Sequence, residues 1–283
     1  MQHLRYIELF CGLGGFHEVF KDIQCVYAYD KSSRSKKLCE TNYNTCVWTR
    51  FNADQIPAFD MLCSAPYDPP SQLPVILQVV ESHKPKYILL DLPKRCENIE
   101  QFVESLKAVQ PNYHVYTSVL NAIHFNLAQY RERQYVVAIQ ASSNNTGFQW
   151  SDVVNTSTKT PKKVVTIRDV MDTSDGLTSK REELEEKYDI VPFSGRDLAH
   201  RPMQTFSLIR KDNGKGGRQG ERIYSIDHPG ITICYCSGSP GSYTGLYDFD
   251  GVIRNLTVTE ALRMLSDSVC IPIIQAIANR LFS

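Results

Sequence analysis

The chain has 283 residues, enough for one large domain or for a domain with a smaller lobe. Its 31 Lys and Arg residues balance 31 Asp and Glu residues, so no global field indicates a polyanionic partner, although residues 201–222 hold six basic and two acidic side chains. No apolar run approaches the roughly 20 residues that a helix needs to span a bilayer, so no membrane partner is expected.

The nine cysteines follow neither a C-x-x-C pattern nor any other regular spacing. Irregularly spaced cysteines are typical of a reducing compartment, and this spacing does not predict a zinc site. The residues after Met1 do not resemble a secretory signal. We therefore expect an intracellular protein, located in the cytoplasm or the nucleus.

In the first half of the chain, strand patterns alternate with helix patterns. Helices are predicted from residue 16, after residue 30 and over residues 99–109. The predicted strands cover residues 4–9, 25–29, 59–63, 86–90, 114–119 and 135–139. This alternation indicates an α/β fold with a doubly wound sheet, in which ligands bind at the carboxyl ends of the strands.

The second half of the chain has a different pattern. Residues 141–163 are rich in Ser, Asn, Thr and Lys, which is typical of a domain boundary. Residues 164–250 lack the alternation and contain Gly- and Tyr-rich loops, which predicts a smaller, irregular lobe. Helices are predicted over residues 254–265 and 271–281, and the second of these is expected to pack on the first domain.

A glycine-rich turn follows the first predicted strand. Gly12, Gly14 and Gly15 stand between that strand and the first helix, where backbone amides and a helix N-terminus can approach a ligand closely. Asp30 ends the second strand, the position from which a carboxylate can accept ribose hydroxyls. The turn lacks a full G-x-G-x-x-G pattern, which argues against a dinucleotide. The alternative interpretation is a tight strand-to-helix turn without a ligand.

Three motifs together resemble the DNA (cytosine-5) methyltransferase family of restriction–modification systems. They are the turn Phe10-Cys11-Gly12-Leu13-Gly14-Gly15, the run Gln129-Tyr130-Arg131-Glu132-Arg133 and the loop at residues 214–222. The resemblance implies a Rossmann-like methyltransferase domain over residues 1–145 and 251–283, and a target-recognition lobe over residues 146–250. It also implies S-adenosylmethionine as the cofactor and double-stranded DNA as a partner.

The same resemblance assigns roles to the cofactor residues. Gly12, Gly14 and Gly15 form the S-adenosylmethionine loop, Phe10 lines the methionine end of the cofactor, and Asp30 binds the ribose. The family also has an Asp that holds the adenine amino group. That position has no clear match here: it falls on Val47 or Trp48, and Asp54 lies nearby.

The greatest departure from the family is at its nucleophile. The family attacks carbon 6 of cytosine with the cysteine of a Pro-Cys-Gln loop, but this chain has Pro66-Tyr67-Asp68. Counting from the preceding strand places Asp68 at the nucleophile, whereas matching the prolines places Tyr67 there. Cys63 is the nearest cysteine, and we interpret it as a buried core residue.

The second departure concerns the family's Glu-Asn-Val motif, whose Glu contacts N3 of the base. Here the motif is replaced by Asp91-Leu92-Pro93, so an acid that is one methylene shorter stands at that position. Arg131 and Arg133 match the family's Arg-x-Arg pair, which orients the cytosine ring and the nucleophile loop.

The glycine-rich loop at residues 214–222 resembles the family's DNA-recognition loop. Glycines permit close approach to a phosphate backbone, and basic or amide side chains bind phosphates and base edges. The implied DNA-binding residues are Lys215, Arg218, Gln219 and Arg222, with Gln219 entering the gap left by a flipped base. A plain hairpin tip is the structural alternative.

Three functions follow from these motifs. The first is an accessory or regulatory protein that binds S-adenosylmethionine and DNA, is catalytically impaired or inactive, and acts with a partner methyltransferase subunit. The second is an active DNA cytosine-5 methyltransferase that uses Cys63 or a residue of a partner. The third is an exocyclic-amine methyltransferase that uses the loop Asp68-Pro69-Pro70.

Overall fold

The computed structural model describes residues 4–141, 147–157, 164–171, 178–233, 238–264 and 269–282. The chain forms two compact units. The first comprises Met1–Leu120, Glu132–Thr158 and Asp267–Ser283, and the second comprises Asn121–Arg131 and Lys159–Ser266. The functional boundaries proposed from the sequence, 1–145 with 251–283 and 146–250, stay a prediction because compactness alone assigns no function.

The first unit is built on a sheet of mostly parallel strands. In the described residues its order is β3-β2-β1-β4-β5-β7-β6, in which the strands from β3 to β5 pair in parallel and β5 pairs antiparallel with β7. This order confirms the predicted doubly wound α/β class. The strands are β1 (Arg5–Leu9), β2 (Gln24–Tyr29), β3 (Val47–Trp48), β4 (Met61–Ser64), β5 (Tyr87–Pro93), β6 (Tyr113–Asn121) and β7 (Glu132–Gln140).

Helices cover this sheet because buried parallel strands are apolar on both faces. The helices are α1 (Gly15–Val19), α2 (Ser33–Tyr43), α3 (Pro69–His83), α4 (Ile99–Val109), α5 (Trp150–Ser157) and α9 (Ile271–Leu281). Helix α3 was not predicted from the sequence. Pro69 and Pro70 occupy its first turn, where a missing N–H costs no hydrogen bond.

The second unit contains a smaller sheet with the order β12-β11-β10-β9-β8. Its strands are β8 (Tyr188–Pro192), β9 (Gln204–Arg210), β10 (Arg222–Ser225), β11 (Leu246–Phe249) and β12 (Val252–Arg254), and its helices are α6 (Ile167–Val170), α7 (Arg181–Lys187) and α8 (Val258–Met264). Leu208, Ile223, Leu246 and Ile253 form a small buried core with Leu184 of α7. The sequence predicted only an irregular lobe, because most of these strands are too short for a clear alternation.

Helix α8 begins later than predicted, because a capping interaction fixes its start. The predicted helix began at Arg254, but Arg254 ends β12 and α8 starts at Val258. The Glu260 backbone N–H donates to Thr257 Oγ1 (3.2 Å), and the Thr257 N–H donates to Glu260 Oε2 (2.8 Å). This reciprocal capping box satisfies two N–H groups at the N-terminus.

Glu260 also forms a buried ion pair with Arg254. The guanidinium donates to both carboxylate oxygens, at 2.7 and 2.8 Å, and the guanidinium carbon lies 3.7 Å from the centroid of the Phe249 ring. Arg254 is 5% exposed and Glu260 is fully buried. Removing one partner would therefore leave a buried charge without compensation.

We expect Glu260→Gln to lower the free energy of unfolding by about 3 kcal/mol, because the neutral amide cannot compensate the buried Arg254 guanidinium. Urea denaturation measures the change. Glu104→Gln is the control, because Glu104 forms an exposed ion pair with Lys107 and its loss should change stability by less than about 0.5 kcal/mol. Equal effects of the two substitutions would contradict the proposed role of the Arg254–Glu260 pair.

The turn between β1 and α1 requires a glycine at position 14 for two reasons. Gly14 has φ of +85°, and a Cβ atom built there would lie 2.5 Å from the Tyr43 ring and 3.1 Å from the Cys39 sulfur. Gly251 has φ of +98° but would place its Cβ in open space. Comparing substitutions at the two glycines thus distinguishes the cost of backbone strain from the cost of steric overlap.

We expect Gly14→Ala to destabilise the protein more than Gly251→Ala. Both substitutions carry the cost of a left-handed residue, about 1 kcal/mol, and Gly14→Ala adds about 1–3 kcal/mol for the overlap with Tyr43. Urea denaturation without added ligand measures both. If the two variants were equally stable, the close packing of the turn on α2 would be refuted.

Candidate functional site

The carboxyl ends of β1 and β2 are joined by the side chain of Asp30. Its Oδ2 atom accepts a hydrogen bond from the Gly12 N–H (2.9 Å), and its Oδ1 atom accepts one from the Ser32 N–H (2.8 Å). Asp30 is only 3% exposed. A carboxylate oxygen accepts more than one hydrogen bond, so Asp30 can order both loops and still accept hydroxyls of a ligand.

Aromatic side chains surround these loops. Phe10 is buried and contacts the edge of the Tyr29 ring, with the ring centroids 5.5 Å apart. Trp48 at the end of β3 is 42% exposed and stacks on Tyr27, and its carbonyl accepts a hydrogen bond from the Asp30 N–H (3.0 Å). Trp48 therefore offers an exposed aromatic face beside the Asp30 loop, whereas Val47 is buried.

Tyr67 follows β4 and is 59% exposed. The Lys31 ammonium lies 5.4 Å from the centroid of its ring, and a hydrogen bond to Tyr67 raises the pKa of Lys31. The structure thus adds Lys31 to the candidate site, which sequence reasoning missed. The available signal was its position directly after Asp30, at the same strand end.

Asp68 makes local hydrogen bonds before α3. Its backbone N–H donates to Gln72 Oε1 (2.8 Å), and its Oδ2 atom accepts a hydrogen bond from the Ser71 hydroxyl (2.5 Å). These contacts hold the first turn of α3 in place. The Asp68 carboxylate therefore already takes part in a structural interaction, the hydrogen bond from Ser71.

Cys63 lies inside β4 and is fully buried. It pairs in register with Glu8 of β1 and Leu89 of β5, so it stands in the middle of the parallel sheet. Burial raises the pKa of the Cys63 thiol well above its usual range. The thiol is therefore neutral and remote from solvent, as the interpretation of Cys63 as a core residue predicts.

Asp91 and Arg133 form a direct ion pair. Arg133 Nε donates to Asp91 Oδ1 (2.5 Å) and Arg133 Nη2 donates to the Asp91 carbonyl (3.1 Å), while the Tyr135 hydroxyl donates to Asp91 Oδ2 (3.4 Å). Asp91 is fully buried.

Strand β5 continues past the predicted end at residue 90, because its pairing with β7 extends to Pro93 opposite Arg133.

Arg131 belongs to the second unit. Its backbone N–H donates to Asn121 Oδ1 (3.2 Å), and its carbonyl accepts a hydrogen bond from the Ala122 N–H (2.9 Å). The Arg-x-Arg motif thus spans the boundary between the two units. Its role in ring orientation stays a prediction.

The loop between β9 and β10 is held at its base by packing and hydrogen bonds. A Cβ atom at Gly216 would lie 2.0 Å from the Leu208 carbonyl oxygen, so only glycine fits there. Arg222 Nε donates to the Gly217 carbonyl (2.7 Å), and Arg210 pairs with the buried Glu221 at 2.6 Å. These contacts distinguish the loop from an unsupported hairpin tip.

The four predicted DNA-binding residues differ in exposure. Lys215, Arg218 and Gln219 are exposed, and Arg222 is half-buried because its guanidinium supports the loop.

The described residues contain no group of three metal-ligating side chains, and none of their helices is long and apolar enough to cross a bilayer.

Known proteins resemble this chain along most of its length. The type II methyltransferase M.HhaI of Haemophilus parahaemolyticus is 26% identical over 93% of this chain and 83% of its own length. M.DsaV of Dactylococcopsis salina is 24% identical over 100% of this chain and 87% of its own length. The chain therefore spans most of the length of both relatives.

Solved structures show the same fold at low sequence identity. The Dnmt2 methyltransferase of S. pombe superposes with a TM-score of 0.64, at 16% identity over 98% of this chain and 93% of that one. The Entamoeba histolytica methyltransferase EhMeth gives a TM-score of 0.56, at 14% identity over 99% of this chain and 94% of that one.

The family model described as C-5 cytosine-specific DNA methylase matches residues 68–227, more than half of the chain. This match confirms the resemblance inferred from the three sequence motifs. The chain belongs to the family of C-5 cytosine-specific DNA methylases, whose methyl donor is S-adenosylmethionine.

Proposed function

We propose that this protein binds S-adenosylmethionine and double-stranded DNA but is impaired or inactive in methyl transfer. In this proposal it acts as an accessory or regulatory protein with a partner methyltransferase subunit. The observation that carries the proposal is the lack of a thiol at Tyr67 and Asp68, the positions that match the family's nucleophile.

The reaction requires a strong nucleophile because carbon 5 of cytosine does not attack the methyl donor unaided. Addition of a thiolate to carbon 6 makes carbon 5 enamine-like and able to accept the methyl group. Tyr67 is a phenol beside the Lys31 ammonium, and Asp68 is a carboxylate bound to the Ser71 hydroxyl. Neither group is a comparable nucleophile toward the ring at neutral pH.

Cys63 gives little support to the active alternative. Its thiol is fully buried between β1 and β5, and burial raises its pKa. A neutral thiol that is fully buried on a central strand is not accessible to a base. An active enzyme would therefore depend on a residue of a partner.

The environment of Asp91 also supports impaired catalysis. The family's Glu must reach N3 of the flipped base, and Asp91 is one methylene shorter. Both of its carboxylate oxygens are engaged, one by Arg133 and the other by Tyr135. The Asp91 carboxylate is therefore fully buried and already bound by two side chains of the protein.

The loops at the end of β1 and β2 fit S-adenosylmethionine. The backbone of Gly12, Gly14 and Gly15 permits close approach, Asp30 can accept the ribose hydroxyls, and Phe10 lies at the methionine end. We assign the adenine contact to Trp48, because its ring is 42% exposed and its backbone carbonyl is hydrogen-bonded to the Asp30 N–H. The cofactor supplies an electrophilic methyl group when bound, and these residues orient it.

We expect S-adenosylmethionine to bind without methyl transfer. Isothermal titration should detect binding to the wild-type protein, and Asp30→Ala should abolish it because the ribose acceptor and the order of the Gly12 loop are lost together. Transfer of a tritiated methyl group to duplex DNA of mixed sequence should stay at background. Trp48→Ala should weaken binding without abolishing it.

The transfer assay also separates the alternatives. Formation of 5-methylcytosine by the isolated protein, or a covalent adduct with fluorocytosine DNA that is lost in Cys63→Ala, would refute the accessory function. Label on an exocyclic nitrogen would instead support amine methylation through the Asp68-Pro69-Pro70 loop.

DNA binding is assigned to the loop between β9 and β10. Lys215 and Arg218 present exposed cations on a loop that is fixed at its base by Gly216 and by the Arg222–Gly217 hydrogen bond. Exposed cations on a fixed backbone bind phosphates, and the Gln219 amide beside them can reach base edges.

We expect the double substitution Lys215→Gln/Arg218→Gln to weaken DNA binding and to reduce its salt dependence. Each lost phosphate contact should lower the slope of log K against log salt by about 0.9, so the double variant should lose about 2. Fluorescence anisotropy at several salt concentrations measures this. Lys107→Gln, which removes one cation from the exposed face of α4, is the charge control, and a change of slope of about 0.9 in that variant would refute the assignment.

A further inference from the structure

Glu8 and His17 form a buried pair in the first unit. His17 Nδ1 lies 2.5 Å from Glu8 Oε2, and the two side chains are 7% and 1% exposed. Glu8 stands in β1 and His17 in α1, so the short turn between these elements fixes their distance. The hydrogen bond orients the imidazole and directs its other nitrogen, Nε2, away from Glu8.

Nε2 of His17 has no partner of good hydrogen-bond geometry in the described part of the chain, although the atom is buried. The imidazole borders a cavity that is also lined by Tyr6, Gln24, Cys25, Tyr43 and Asn44. Cys25 is half-buried and pairs in register with Tyr6, and its thiol also contacts the Tyr27 carbonyl at 3.5 Å. An imidazole nitrogen without a partner and a cysteine therefore border the same cavity.

The groups around His17 determine the protonation state of its imidazole. Burial alone lowers the pKa of His17, but the nearby Cys25 thiol and the Glu8 carboxylate outweigh burial and raise the pKa to about 10. Burial also raises the pKa of Glu8. With a pKa of about 10, the His17 imidazole is protonated at neutral pH, so Nε2 carries a hydrogen that it can donate to a thiolate.

We propose that Glu8, His17 and Cys25 form a reactive-thiol site, and that Cys25 is modified by small polar disulfides of the glutathione disulfide class. Within this site, Cys25 stands at the amino end of β2, whereas the candidate cofactor residue Asp30 follows its carboxyl end. The amides of Gln24 and Asn44 line the cavity and suit a peptide-like disulfide.

The reaction is thiol–disulfide exchange. Cys25 loses its proton to solvent, and the Nε2 hydrogen of His17 stabilises the thiolate. The thiolate attacks one sulfur of glutathione disulfide, forms the mixed disulfide and breaks the original sulfur–sulfur bond. The departing glutathione thiolate takes a proton from solvent, so one disulfide replaces another and the only oxidant is the added disulfide.

The test compares Cys25 with Cys46 in the folded wild-type protein. The protein is incubated with glutathione disulfide, and the rate at each cysteine is measured by mass spectrometry of peptides. We expect Cys25 to react about tenfold faster or more, although Cys46 is exposed and Cys25 is half-buried. A rate at Cys25 equal to or below that at Cys46 would overturn the proposal without use of any variant.

The double variant Glu8→Gln/His17→Phe tests the cause of the reactivity. It removes the pair without leaving a buried charge, and we expect the rate at Cys25 to fall about tenfold while the rate at Cys46 stays the same. An unchanged rate at Cys25 would show that His17 does not activate it. The buried Cys39 and Cys63 report on folding, because they should stay unmodified in both proteins.

Discussion

Parallel pairing of β1 with both β2 and β4 is the constraint on which the candidate site depends. Parallel strands end at the same edge of a sheet, so the turn after β1, Asp30 after β2 and Tyr67 after β4 follow neighbouring strand ends. The hydrogen bonds of Asp30 to Gly12 and Ser32 then lock two of these loops together. This framework positions the loops after β1 and β2 independently of the residues that stand in the loop after β4.

The same sheet explains the burial of the cysteine nearest to the loop after β4. Cys63 belongs to β4 itself, a central strand with β1 on one side and β5 on the other, and its side chain is fully buried. The family's nucleophile stands in the loop that follows this strand, where it can reach a base. Moving a thiol by a few residues, from loop to strand, converts a reactive group into a core side chain.

Asp91 and Arg133 show how catalytic-type residues can keep a structural role. Their side chains meet because β5 and β7 pair antiparallel, and the ion pair satisfies a carboxylate that would otherwise be buried without compensation. Such a pair is retained for stability even if the reaction is lost. The presence of the Arg-x-Arg motif in the sequence is therefore weak evidence for activity.

The sequence by itself determined the α/β class, the turn at Gly12 and Gly14, the acid at Asp30 and the family, because each depends on local spacing along the chain. It also predicted that no thiol stands at the family's nucleophile position. It could not predict the sheet of the second unit, the start of α8 or the length of β5. The strands of the second unit are too short to show a clear alternation. The start of α8 depends on a side-chain cap, and the end of β5 depends on pairing with β7, which is distant in the chain.

Only the tertiary structure decided which side chains meet. Two contacts join side chains from different parts of the fold. They are Lys31 with Tyr67, and Glu8 with His17 at the cavity that Cys25 also borders. Their proximity comes from strand order and register, which no local pattern encodes.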